Sequence, residues 1–318
     1  MTSTVKPWER DYRNDPTRRH LLSRNVTIAH HEDLYDAAHG FLESPFKESL
    51  GPLNTEALGV HHFAVHVKLG IARESLDELE SKLNSNRFNL LVDPSFTFLK
   101  LLAGFFTNLH ATFDNLAPQL GLVYDLGLSD RDDIQDILEI IGSSDKRVQN
   151  NKSLPHDRTI APLVTVFEGA QAKIQEISTY RNALTHRKLP NGMVEASSSV
   201  AGLPLRWDEL LAMPQATPTV SPFSLAPGAF VPLPSGSVVA NTSSQQITVN
   251  LFDFVVSPPA RFYLPKPEKL DLLPSQFNYP NDYNEYEITD VCEEFYRWTI
   301  DFLGRVYGVM VKDFAKLK

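Results

Sequence analysis

Cysteine is almost absent from this 318-residue sequence, since Cys292 is the single one. A lone cysteine excludes an intrachain disulfide framework and any cysteine-rich zinc site, and it suits a reducing compartment. A long apolar run is also missing, because the most apolar stretch, residues 96–106, is interrupted by Lys100 and is too short to span a bilayer. The polar N-terminus lacks the apolar core of a secretory signal. These absences predict a soluble, cytoplasmic protein without a membrane partner.

The sequence also lacks an excess of positive charge. Its formal net charge of −9 argues against broad, nonspecific coating of nucleic acid, which relies on lysine and arginine. The first 25 residues are an exception, with six basic against three acidic residues and a net charge of +3. This pattern favours a solvated, flexible arm over an RNA-binding arm. Glycine-rich phosphate loops, nucleophile elbows and zinc-protease motifs are missing, and the function classes that depend on them are excluded.

Four long segments carry the spacing of three and four between apolar residues that predicts amphipathic helices. They cover about 58–83, 94–118, 159–188 and 286–314. Pro118 is expected to kink or end the second helix, and the turn residues 189–192 to end the third. Shorter helices are expected at about 27–43 and 130–142, the latter opened by acidic residues that suit a helix N-terminus. The predicted fold class is mainly α.

One region breaks the helical pattern. Between Pro190 and Pro280 lie 14 of the 22 prolines, which excludes a continuous helix there. Within it, residues 246–256 are rich in β-branched and aromatic side chains and predict a strand, with residues 237–240 as its hairpin partner. The predicted organisation is an N-terminal extension with a short helix (1–53), a helical bundle (54–189 and 282–318), and a small proline-rich, β-containing insertion (190–281) before the C-terminal helix.

The third helical segment contains a discordant charge. Continuing its apolar seam beyond Ile174 and Ile177 places Arg181 where an apolar residue is expected. Asn182 follows, and His186 lies one turn beyond Asn182 on the same face. Arg181 and His186 are separated by about 140° around a straight helix, so one helix does not aim both at one point. Two copies packed about a twofold axis would bring them together from opposite sides.

The segment from Tyr180 to His186, late on a long helix within a helical bundle, resembles the HEPN superfamily motif of an arginine, a polar residue and a histidine several positions later. The resemblance covers residues 54–189 and 282–318. It implies a mainly α-helical bundle that forms a homodimer through the motif helices. It further implies a metal-independent endoribonuclease of a toxin–antitoxin, antiphage-defence or stress system, with RNA or nucleotide as ligand, no cofactor, and an antitoxin or other protein partner.

The resemblance also assigns roles to residues. His186 would be the acid or base, since an imidazole exchanges protons near neutrality. Arg181 would bind the phosphate and offset the charge of the transition state, while Asn182 positions His186 or the substrate. Tyr180 and Thr185 are weaker supporting candidates. On the central helix, Asp114 is expected to pair with Arg181 or to orient His186, with Asn115 beside it, although mutually satisfied buried polar residues are the simpler interpretation.

Two alternatives remain open. The first is a catalytically silent HEPN-like module that binds nucleotide, RNA or a protein. The second is a metal hydrolase built on His62 and His66, with His61 and Glu56 nearby, because histidines four residues apart on a helix can share one metal. A hydrogen-bonded core histidine at His62, with exposed neighbours, is favoured over that site.

Overall fold

A computed structural model describes residues 52–84, 88–89, 97–124, 126, 133–142, 161–186, 193–196, 204–206, 230–232, 237–241, 246–250, 255–256, 260–270 and 281–315, and also Asn14. The predicted helix at 27–43 and the rest of the N-terminal extension lie outside these residues. The described part is mainly α, as the sequence predicts. Its helices are α1 (Pro52–Leu83), α2 (Leu99–Tyr124), α3 (Ile134–Gly142), α4 (Ala161–Glu168), α5 (Gln171–His186) and α6 (Ile288–Ala315).

Helix α1 follows the predicted seam along its whole length. Every seam position is buried: Leu58, His62, Val65, Leu69, Ala72, Leu76, Leu79 and Leu83. The helix begins six residues before Leu58, at Pro52, where the fixed φ of proline suits a first turn. Its path is therefore set by burial of one apolar face.

Helix α2 corrects the expectation that Pro118 ends it, while the alternative expectation of a kink at Pro118 remains a prediction. The helix continues to Tyr124, with Pro118 inside it. An interior proline costs about 3 kcal/mol because it removes one hydrogen bond and crowds the preceding turn. Leu120, Val123 and Tyr124 are all buried beyond it. Burying each such side chain contributes roughly 1.5–3 kcal/mol, which together exceeds the cost of the proline.

Helix α3 confirms the helix expected at 130–142 and shows what its acidic opening does. The Asp133 carboxylate accepts a hydrogen bond from the backbone N–H of Gln135 at 2.8 Å. The Asp136 carboxylate reaches back to the N–H of Asp133 at 2.9 Å. The two aspartates thus form a reciprocal cap that satisfies amides at the helix start.

The third predicted helix is wrong as a single helix. It is divided into α4 and α5 by a turn at residues 169–170. Gly169 has a low helix propensity and is exposed, so no burial offsets its cost. The Ala170 N–H bonds the Phe167 carbonyl at 2.9 Å, which tightens the end of α4, and the Ala170 carbonyl then accepts from Ile174 at the start of α5.

Short strands lie between α5 and α6, together with one further strand that precedes α2. They are β1 (Phe88–Asn89), β2 (Met193–Ala196), β3 (Pro204–Arg206), β4 (Phe230–Pro232), β5 (Ser237–Asn241), β6 (Gln246–Asn250), β7 (Val255–Val256) and β8 (Ala260–Tyr263). All pairings are antiparallel, in the orders β1-β7, β3-β2-β8 and β4-β5-β6. Val238 of β5 is in register with Val249 of β6. A 3-10 turn follows at Pro267–Lys269.

The chain divides into two compact units. Unit 1 comprises Met1–Glu74, Phe105–Ser178 and Glu293–Lys318, and unit 2 comprises Ser75–Gly104 and Thr179–Cys292. In unit 1 an aromatic cluster joins three helices, with Phe302 of α6 in edge contact with Phe113 of α2 and Phe167 of α4, and stacked on Trp298. Unit 2 has its own buried apolar residues, among them Leu79, Phe98, Leu102, Leu264 and Ile288.

Candidate active site

The motif residues occupy the last two turns of α5, which ends at His186. The Arg181 side chain is half-buried, and its Nη1 donates to the Oδ1 of Asn182 at 2.8 Å. The Thr185 hydroxyl donates to the main-chain carbonyl of Arg181 at 2.7 Å. The structure therefore brings Arg181 and Asn182 together and turns the exposed Thr185 back onto its own helix. The side chain of His186 lies outside the described part of the chain.

The predicted place of Arg181 on the apolar seam is wrong. The buried positions that follow Ile177 are Tyr180 and Ala183, whereas Arg181 and Leu184 are only half-buried. With 3.6 residues per turn, a seam can continue by a step of three as readily as by a step of four. Here the seam takes the step of three, so the ring of Tyr180 is buried in the core and Arg181 lies at the edge of the buried face.

Tyr180 is anchored by hydrogen bonds inside unit 2. Its hydroxyl donates to the Pro265 carbonyl at 2.8 Å and accepts from Nδ2 of Asn284 at 2.9 Å. The same Asn284 amide donates to the Leu264 carbonyl at 3.0 Å. These contacts fasten the loop before α6 to the motif helix and give Tyr180 a structural role. A supporting role for it in chemistry remains a prediction.

Asp114 and Asn115 belong to unit 1, where each is engaged on α2 itself. His110 Nδ1 and Asp114 Oδ2 are 3.0 Å apart, and Nδ2 of Asn115 donates to the Ala111 carbonyl at 2.7 Å. The second carboxylate oxygen of Asp114 is buried without a hydrogen-bond partner in the described part of the chain. The structure thus gives Asp114 a histidine partner, one turn away. Its predicted role toward Arg181 or His186 remains a prediction.

His62 is buried and hydrogen-bonded, which confirms the expectation of a hydrogen-bonded core histidine. It belongs to a series of hydrogen bonds that the sequence did not reveal. Gln119 Nε2 donates to the Asn115 carbonyl at 3.0 Å, so its amide oxygen faces Tyr307, whose hydroxyl donates to it at 3.2 Å. The hydroxyl has one proton. It must therefore accept from Nδ1 of His62, 3.3 Å away, which fixes a proton on that nitrogen.

Burial shifts the pKa values of Tyr307 and His66 in opposite directions. It raises the pKa of Tyr307 above its usual value, and the hydrogen bond to Gln119 opposes that shift only in part. It lowers the pKa of His66 below 6.5. Both shifts arise because burial disfavours the charged form. Among the described residues, no group of three histidine, cysteine, aspartate or glutamate side chains is arranged to hold a metal ion.

Sequence reasoning also missed a partly buried charge cluster on unit 1, in which Arg297 is buried. The Glu293 carboxylate bridges two arginines: one oxygen meets Nη1 of Arg73, and the other accepts from Nε of Arg297 at 2.9 Å. Next along α6, Glu294 binds Nζ of Lys173 at 2.6 Å. The sequence did contain one indication of this cluster, because Arg297 is a charged residue between the seam residues Phe295 and Trp298. Periodicity could flag that charge but could not identify Arg73, which lies on another helix.

No family model, no curated protein and no solved structure matches this chain. Within the described ranges, none of the helices combines the length and the apolar character that crossing a membrane requires.

Proposed function

We propose that the chain is a HEPN-like, metal-independent endoribonuclease of a stress or antiphage-defence system, which cleaves RNA with Arg181 and His186. The observation that supports this most is the state of Arg181. Its guanidinium is half-buried near the end of α5, it bonds the side chain of Asn182, and no carboxylate pairs with it among the described residues. An arginine held for a structural ion pair has an acidic partner. An arginine without one is available to a phosphate.

The proposal extends to the fold and the assembly. The mainly α described part would be a HEPN-like bundle, and residues 190–281 a β-containing insertion before its last helix. Because Arg181 and His186 are about 140° apart around α5, a homodimer through the motif helices would complete the site. An antitoxin or another protein would act as partner, and the protein would work in the cytoplasm.

The reaction follows from the chemistry of RNA. A base removes the proton of a ribose 2′-hydroxyl, the 2′-oxygen bonds to the adjacent phosphorus, and the bond from phosphorus to the 5′-oxygen breaks. The departing 5′-oxygen takes up a proton, and a 2′,3′-cyclic phosphate remains. His186 would handle one or both protons, and Arg181 would offset the charge that builds on the phosphoryl oxygens. Asn182 would orient the guanidinium that it already holds.

The test is cleavage of a broad RNA panel by the full chain in the presence of a chelator. We expect 2′,3′-cyclic phosphate ends, and a loss of rate of about 10²-fold or more in Arg181→Ala and in His186→Ala. Arg305→Ala is the matched control, because Arg305 is an exposed arginine on α6 that pairs with Asp301. It should leave cleavage unchanged.

Two results would contradict the ribonuclease. One is a product with a 5′-phosphate, and the other is activity that the chelator abolishes and a divalent ion restores. Absence of cleavage on every RNA, combined with nucleotide or RNA binding that Arg181→Ala removes, would instead favour the catalytically silent binding module.

A further inference from the structure

Asn284, in the loop before α6, directs its side-chain amide at three oxygen atoms. Its Nδ2 donates to the Tyr180 hydroxyl at 2.9 Å, to the Leu264 carbonyl at 3.0 Å and to the Pro265 carbonyl at 3.2 Å. The Tyr180 hydroxyl has a single proton, which it donates to Pro265. Toward Asn284 it therefore acts as an acceptor, and the two carbonyls also require a donor. The orientation of the amide is thus fixed by its surroundings.

The two carbonyl groups do not depend on this amide for a donor. The Leu264 carbonyl also accepts the main-chain N–H of Asn284 at 2.9 Å, and the Pro265 carbonyl accepts the Tyr180 hydroxyl at 2.8 Å. Pro265 and Tyr283 form an antiparallel bridge that joins the two stretches of loop through their backbones. The side chain of Asn284 therefore adds little to the loop itself. It adds a second hydrogen bond to the phenol, which fixes the direction of the Tyr180 side chain.

Tyr180 is the main anchor for the end of α5 within unit 2. In residues 179–185, all of which the structure describes, the buried side chains are Tyr180 and Ala183. The alanine contributes one methyl group, so the position of these turns depends chiefly on the tyrosine ring. Because hydrogen bonds between turns hold a helix to one geometry, a displaced ring also displaces the main chain of Arg181. The hydrogen bond from Nη1 of Arg181 to Asn182 at 2.8 Å extends this position to the guanidinium.

We propose that Asn284 is a positioning residue, which acts through Tyr180 to hold the guanidinium of Arg181 in place for a phosphate of RNA. The consequence for catalysis rests on the proposed function. Because Asn284 acts on Arg181 only through another residue, its effect should appear in the rate of the chemical step more than in the binding of RNA. A displacement of about 1 Å at a group that stabilises the transition state lowers the rate by up to about 10²-fold.

Asn284→Asp tests this role with almost no change of shape, because the introduced carboxylate sets an oxygen where the phenol and two carbonyls require a donor. We expect kcat for RNA cleavage by the full chain to fall by about 10- to 100-fold, with KM changed by less than about 3-fold. Asn284→Ala removes the donor without adding a charge and should act in the same direction. Glu285→Gln, the reverse exchange at the neighbouring exposed residue, is the matched control and should leave kcat unchanged.

A double variant separates positioning from a general loss of structure. If Asn284 acts through Arg181, Asn284→Asp should have no further effect on kcat once Arg181→Ala has removed the guanidinium. If Asn284 only supports the fold, the two losses of rate multiply. Multiplied losses, or kcat values for Asn284→Asp and Asn284→Ala equal to that of the wild type, would overturn the proposal.

A measurement that needs no cleavage distinguishes failure of this proposal from failure of the ribonuclease. In NMR spectra of the isotope-labelled full chain, the Nε–Hε resonance of Arg181 is identified by its loss in Arg181→Ala. It should shift or broaden in Asn284→Asp, while that of Arg305, which is exposed on α6, stays in place. An unchanged Arg181 resonance overturns the positioning role, whether or not RNA is cleaved. A shifted resonance in a chain that cleaves no RNA supports the positioning role and rejects the ribonuclease.

Discussion

Tyr180 and Arg181 are chain neighbours with opposite surroundings. The tyrosine ring is buried, and its hydroxyl is engaged twice within the protein. The guanidinium next to it is half-buried and bonds one neutral amide. Two adjacent residues of one short motif can therefore be separated by measurement, because their contributions to stability should differ.

Tyr180→Phe should lower the free energy of unfolding by about 1–2 kcal/mol, since it removes a donor to the Pro265 carbonyl and an acceptor for Asn284 in a buried setting. Urea unfolding of the purified variant measures this. Arg181→Leu is the control and should change stability by no more than about 0.5 kcal/mol, as is usual for half-exposed sites without an ion pair. A large loss in Arg181→Leu would mean that the arginine has a structural carboxylate partner.

At the scale of the helix, the charge cluster on α6 has two adjacent glutamates in different settings. The Glu293 side chain is 13% exposed and forms ion pairs with two arginines, whereas the Glu294 side chain is 39% exposed and forms an ion pair with Lys173. Glu293→Gln should destabilise the protein by about 3 kcal/mol, because it removes the negative charge that Arg73 and Arg297 both contact in a setting largely shielded from water.

Glu294→Gln provides the comparison and should cost under about 1 kcal/mol, since an exposed ion pair is screened by water. Chemical denaturation of both variants at neutral pH measures the difference. Equal effects would show that burial of the Glu293 carboxylate has no energetic consequence.

The helices were predictable where burial alone decides them. The seam of α1 is buried from Leu58 to Leu83 as its spacing predicts. Two errors arose where a local cost competed with packing: burial carried α2 past Pro118, while exposure let Gly169 divide α4 from α5. The candidate site was predictable as a stretch of chain but not as a set of contacts. Periodicity could not choose between Tyr180 and Arg181 for the core, and it holds no information about Asn284, 104 residues away.

For the whole molecule, the lowered pKa of His66 predicts that the free energy of unfolding decreases in acid. Its pKa is lowered by burial from 6.5, so below pH 6.5 the unfolded chain binds a proton that the folded chain resists. Stability should therefore be full above pH 6.5, fall as the pH drops below that value, and level off under the folded-state pKa. Urea unfolding at several pH values between about 7.5 and 5 should show a smaller decline in His66→Gln than in the wild type. Equal declines would assign the acid sensitivity to other groups.

The distances along the chain between buried partners have a consequence for biosynthesis. His62 and Tyr307 are 245 residues apart, and Arg73 and Glu293 are 220 apart. A ribosome adds roughly 5–20 residues per second, so α1 leaves the exit tunnel tens of seconds at most before α6 exists to meet its polar groups. During that interval its imidazole and guanidinium groups are solvated, and its apolar seam is open to chaperones. Unit 1 can therefore complete its folding only after α6 has been synthesised.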